Sequence, residues 1–127
     1  MIIAIPDDYH GLVSSLDCYR RLHRHEVRVL REAAPPFDVL VDALCDAEAV
    51  VPIRERTVFD RRLLQALPRL RLISQTGRST HHVDVAACTE LGIAVTAGSH
   101  ASPHTVAEHT WALILSTLRH VPRETAL

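Results

Sequence analysis

Short apolar runs alternate along the chain with longer segments whose apolar positions recur every three or four residues. Ile2-Ile3-Ala4-Ile5 is an unbroken apolar run stopped by Pro6, the pattern of a strand covered on both faces. Further strands are predicted at Glu26-Val27-Arg28-Val29-Leu30, Ala49-Val50-Val51, Leu70-Arg71-Leu72-Ile73-Ser74 and Ile93-Ala94-Val95. Between the first two, Leu12, Leu16, Tyr19 and Leu22 stand at helical spacing. Helices are also predicted over Val39 to Leu44, Asp60 to Leu67 and Val83 to Leu91, the last ended by Gly92. The longest and most apolar helix is predicted from Pro103 to about Arg119, with Ser102 as its N-cap. The tail from Val121 to Leu127 reads as a polar linker.

Five alternations of strand and helix predict an α/β fold: a flavodoxin-like, doubly wound parallel sheet of about five strands with helices on both faces. At 127 residues the chain has the length of one domain. Its 47% hydrophobic content is enough to bury a core without metals or disulfides. The net charge of −1 selects neither nucleic acid nor an anionic membrane, and 4% aromatic residues are too few for base stacking. Cys18, Cys45 and Cys88 are odd in number and form no CxxC pair, which predicts free thiols in a reducing compartment. Met1 to Pro6 lacks the basic flank of a signal peptide, and no apolar run has membrane-spanning length, so a cytoplasmic protein is expected.

All fourteen basic residues are arginine, which excludes Schiff-base chemistry and a phosphate-loop lysine. The four glycines, at 11, 77, 92 and 98, form no GxGxxG turn. Nine histidines include no HExxH pair and no Cys/His cluster, so no metal is expected. In a doubly wound sheet ligands bind at loops beyond the carboxyl ends of the strands. The loop after the fourth strand, Gln75-Thr76-Gly77-Arg78-Ser79-Thr80, sets a glycine among polar residues. Successive N–H groups there can converge on an anion, although Gly77 can equally serve a tight turn alone. On the neighbouring loop Arg54 and Arg56 are two residues apart and can share a face towards a carboxylate or phosphate, or remain solvated with Glu55 between them.

Taken in order, Ile53-Arg54-Glu55-Arg56-Thr57, Leu67-Pro68-Arg69-Leu70-Arg71-Leu72-Ile73, the Gly77 turn, His82-Val83-Asp84-Val85-Ala86-Ala87, Leu91-Gly92-Ile93-Ala94-Val95 and Thr105-Val106-Ala107-Glu108-His109-Thr110 carry a resemblance. The chain resembles the N-terminal catalytic (substrate-binding) domain of D-isomer-specific 2-hydroxyacid dehydrogenases, near the D-3-phosphoglycerate dehydrogenase-like members. The resemblance implies an NAD-dependent, two-domain enzyme acting on a small 2-hydroxy or 2-keto acid in the cleft between its domains. Main-chain N–H groups of Thr76, Gly77 and Arg78 would hold the substrate carboxylate, Arg54 and then Arg56 would assist, and Ser102 and Val106 would border the nicotinamide. The family often carries Asn near the position of Ser102. In the family the dinucleotide-binding domain and the catalytic Arg, Glu and His follow, whereas this sequence stops at Leu127.

The resemblance therefore predicts a domain with no catalytic residue of its own, not expected to bind NAD or to be active alone. The alternative is a stand-alone carboxylate-binding or dimerisation module. Because Trp111-Ala112-Leu113-Ile114-Leu115 is apolar nearly all round, a homodimer is expected through the last helix, with Trp111, Ile114 and Leu118 at the contact.

Overall fold

The computed structural model describes residues 1–32, 35–98 and 103–126. Strands β1 (Ile2–Ile5), β2 (Glu26–Val29), β3 (Ala49–Val50), β4 (Leu72–Gln75) and β5 (Ala94–Ala97) form one sheet in the order β2-β1-β3-β4-β5. Every pairing is parallel, with Ile3 opposite Val27 and Ala49, Val50 opposite Ile73, and Ile73 opposite Val95. The expected doubly wound arrangement is therefore present, with its switch in direction between β1 and β3.

Alternation along the strands divides the core. Ala4, Val50 and Ile73 face helices α1 (Phe37–Leu44), α2 (Arg61–Gln65) and α3 (Val85–Glu90), packing with Leu44, Leu63 and Leu64. Each valine, leucine and isoleucine among them contributes roughly 1.5–3 kcal/mol by its burial. Ile3, Ile5 and Ala49 face the other way, where Val13, Tyr19 and Leu22 cover them in part. Phe59, fully buried, pairs with Val83: its N–H donates to the His82 carbonyl (2.8 Å), and its own carbonyl accepts from Asp84 (2.9 Å). That short bridge aligns the starts of two helices. Asp60 and Asp84 then act as twin N-caps, accepting from Leu63 and Ala87 at 2.8 Å each, each worth about 1 kcal/mol.

Two elements differ from expectation. Leu12 to Leu22 is not an α-helix but two 3-10 turns, Val13–Ser15 and Asp17–Leu22, separated by an extended Leu16 (ψ 136°). The Ser15 hydroxyl takes the Leu12 carbonyl at 2.7 Å, and the Leu16 N–H bonds Val13 instead. Serine side chains competing with the backbone explain the break. The tail is not wholly a linker, since Val121–Glu124 forms a one-turn helix, α5, entered through His120 at φ 51°. Helix α4 (Pro103–Leu118) has no buried residue, so the sheet does not cover it. Its expected N-cap, Ser102, lies outside the described residues.

Candidate functional site

The carboxyl ends of β1, β3 and β4 open into a cleft of about 500 Å³ that straddles the switch between β1 and β3. Its floor is set by one buried acid. Asp7 leaves β1 in a left-handed conformation (φ 70°), and its Oδ2 accepts from the Thr57 N–H (3.2 Å) and the Thr57 hydroxyl (2.8 Å). The Tyr9 hydroxyl donates to Oδ1 at 3.1 Å. Partial burial, followed by the Asp7 carboxylate, raises the phenol's pKa above its ordinary value. Asp8, also buried, accepts from the Leu12 and Val13 N–H groups at 3.0 and 3.1 Å and so starts the first 3-10 turn.

The two arginines of the β3 loop have different lives. Arg56 donates to the Asp7 carbonyl (3.2 Å), and its guanidinium carbon stands 4.0 Å above the Tyr9 ring. That geometry makes it a brace between the β1 and β3 loops. Arg54 lines the cleft, exposed, and its side chain makes no hydrogen bond or ion pair among the described residues. It sits at φ 66°, a conformation that costs an L-residue roughly 1–2 kcal/mol. A strained residue presenting an unengaged cation to a cleft fits a binding role.

Thr76 and Gly77 line the same cleft, so the structure brings Arg54, Thr76 and Gly77 together. The Thr76 hydroxyl donates to the Pro52 carbonyl at 3.0 Å, tying the β4 loop to the β3 loop. Gly77 is not left-handed; a Cβ built on it would meet only Gln75 Nε2 at 3.4 Å and Glu55 Oε1 at 3.5 Å. Neither Gly77 nor Arg78 donates its N–H to another described residue. The Arg78 side chain is exposed and does not line the cleft, so that residue can contribute only its backbone. Val106 stands on α4, 70% exposed, and Ser102 is outside the described residues.

Sequence reasoning missed Asp7, Tyr9 and Gly98. A Cβ on Gly98 would lie 2.9 Å from the Thr76 carbonyl oxygen, and the Gly98 N–H donates to the Gly77 carbonyl at 2.9 Å. Gly98, the residue that follows β5, therefore clamps the β4 loop by close backbone approach. Only the GS dipeptide hinted at it. Beneath the cleft His82 is buried, and neither ring nitrogen has a hydrogen-bond partner. Among the described residues no group of three His, Cys, Asp or Glu is placed to hold a metal, and no helix is long and apolar enough to cross a membrane. Cys18, Cys45 and Cys88 are all free thiols.

The family model described as the catalytic domain of D-isomer specific 2-hydroxyacid dehydrogenases matches residues 10–123. The D-3-phosphoglycerate dehydrogenase of Mycobacterium tuberculosis is 33% identical over 97 residues, covering 76% of this chain and 18% of that protein. The crystal structure of a phosphoglycerate oxidoreductase from Vibrio cholerae superposes with a TM-score of 0.87 at 43% identity, over 96% of this chain and 38% of that one. A D-lactate dehydrogenase from Aquifex aeolicus, solved with NAD and lactic acid, gives a TM-score of 0.69 at 25% identity, over 95% of this chain and 35% of that one. The chain thus spans well under half the length of each of these proteins. With the model match running from the β1 loop to the last helix, the chain belongs to the D-isomer specific 2-hydroxyacid dehydrogenase family, as its catalytic domain.

Proposed function

We propose that the chain is the substrate-binding part of an NAD-dependent, phosphoglycerate dehydrogenase-like oxidoreductase acting on small 2-hydroxy or 2-keto acids. One observation carries this reading: Gly77, whose N–H donates to no other described residue, lines the same cleft as Arg54, whose guanidinium is unengaged, and the Arg78 N–H beside it is likewise free among the described residues. Backbone donors with one guanidinium are a carboxylate receptor, because each bond to the anion is charge-assisted. Thr76 bonded to Pro52, and Gly98 packed on Thr76, hold those donors in place before a ligand arrives. The acid's C2 would then project to the open side of the cleft.

NAD, when bound in such enzymes, accepts or supplies the hydride. The residues of this chain do not fit it. Gly92 closes α3 and Gly98 packs on Thr76, leaving no glycine-rich turn to cradle a pyrophosphate among the described residues. Ser102 and Val106 would at most border the nicotinamide, and hydride transfer is not assigned to any residue here. We further place the protein in the cytoplasm, in keeping with its three free thiols. We assign α4 as a homodimer contact, because Trp111, Ile114 and Leu118 are exposed on it.

The test of the site is an NMR titration of the 15N-labelled chain with pyruvate at millimolar concentration. The amides of Thr76 to Ser79 should move, and Arg54→Ala should weaken binding about tenfold, the worth of one charge-assisted bond. Unmoved loop amides would leave Gly77 with a turn role only.

A further inference from the structure

The polar cleft does not end at its floor. A second cavity of about 330 Å³ lies between the 3-10 turns and the second face of the sheet, and it shares Val13, Leu16, Ile53 and Thr76 with the cleft. Its remaining walls are Ile5, Cys18, Tyr19, Leu22 and Val51, with Arg21 as the charged member. Thr76 thus stands at the junction of a polar chamber and an apolar one. Leu16 is 50% exposed, a cost that makes sense where a leucine forms the rim of a ligand cavity rather than part of a closed core.

The charges of the cleft point the same way. Asp7 and Asp8 are taken up by hydrogen bonds, and Arg56 by Asp7 and Tyr9. Arg54 is left as the one unengaged guanidinium facing the cleft among the described residues. Glu55 also faces it, with Oε1 only 3.5 Å from the position a Cβ on Gly77 would take. Two arginines, Arg54 and Arg56, face three carboxylates, Asp7, Asp8 and Glu55, so the lining tolerates a ligand with one negative charge better than one with two. A phosphoryl group, carrying roughly −1.5 to −2 at neutral pH, would add to that surplus of negative charge close to Glu55.

Resting on the carboxylate-binding role above, we propose that the site takes a 2-keto or 2-hydroxy acid with one carboxylate and an unphosphorylated, apolar side chain. The carboxylate lies at Gly77 and Arg54. The side chain passes Thr76 into the cavity walled by Val13, Leu16 and Ile53. Each carbon moved from water into that cavity favours the longer acid.

The test compares three probes on the 15N-labelled chain: pyruvate, 4-methyl-2-oxopentanoate and 3-phosphoglycerate. The branched acid should bind about tenfold tighter than pyruvate and should move the amides of Val13, Leu16 and Ile53 as well as those of the Gly77 loop. Phosphoglycerate should bind more weakly than the branched acid, and Glu55→Gln should narrow that gap. Leu16→Asn, at a half-exposed position, should remove the advantage of the branched acid over pyruvate. Equal affinities for the two keto acids, or tighter binding of phosphoglycerate, would overturn the apolar subsite and leave the carboxylate site standing. A Gly77 loop that responds to none of the three would overturn both.

Discussion

His82 lies under the cleft with 4% of its surface exposed and both ring nitrogens unpaired. Burial above all holds its pKa below the ordinary 6.5, against smaller upward pulls from Glu55 and Asp7 and a downward one from His81. Above pH 6.5 the ring is neutral whether the chain is folded or not, and no penalty arises. Below 6.5 the unfolded chain takes up a proton that the folded chain refuses, so stability falls until the lowered folded pKa is reached. Thermal melts should show the midpoint falling as pH drops from 7 to 5, with a shallower fall in His82→Phe; parallel profiles would assign the loss to other groups. Legibility at this scale depended on distance along the chain. The caps Asp60 and Asp84 could be read because each partner lies three residues away. Asp7 binds Thr57 across fifty residues, and Arg56 binds Asp7 across forty-nine, which no local pattern announces. The sequence offers Arg56 as a ligand cation or a solvated side chain, and its contacts with the Asp7 carbonyl and the Tyr9 ring lie beyond what local spacing shows.

Elements were legible where the chain closes them by its own rules. Gly92, at φ 72°, ends α3 with its N–H on the Thr89 carbonyl and the Ile93 N–H on that of Cys88, the paired bonds of a Schellman turn. Strand positions followed from apolar runs because a parallel sheet buries both faces at its centre. The Leu12–Leu22 segment misled because helical spacing of apolar residues is also met by two 3-10 turns that cover the same sheet face. What decided the matter was Ser15 and the Asp8 cap, both polar terms that periodicity ignores. The residue after β5 carries a test of how elements hold the site. Gly98→Ala sets a methyl 2.9 Å from the Thr76 carbonyl, a backbone atom that can retreat only by moving the β4 loop. Overpacking of this kind costs about 1–3 kcal/mol. A lowered melting temperature together with weaker pyruvate binding is expected, whereas Gly77→Ala, whose Cβ meets only ordinary contacts, should melt near the parent. Normal binding in Gly98→Ala would show that the loop is not positioned by this contact.

At the scale of the molecule, the sheet and its three short helices make one compact layer structure, and α4 stands apart from it. Sixteen helical residues span about 24 Å, with Trp111 62% and Leu118 69% exposed. The sequence showed that this helix needs cover, because its centre is apolar all round; it could not show where the cover comes from, since no residue of the sheet supplies it. Self-association predicts a dimer in sedimentation velocity that Trp111→Glu converts to monomer with unchanged far-UV circular dichroism. A monomeric parent chain at high concentration would remove α4 from that role.

The place of Trp111 has a practical consequence. It is the chain's only tryptophan, and it sits on the helix with the least contact with the core. Its indole already faces water in the folded single chain, so melting the sheet changes its surroundings little. Fluorescence emission should therefore shift to the blue when α4 is covered and stay almost constant while the core unfolds, which makes the indole a gauge of assembly rather than of folding.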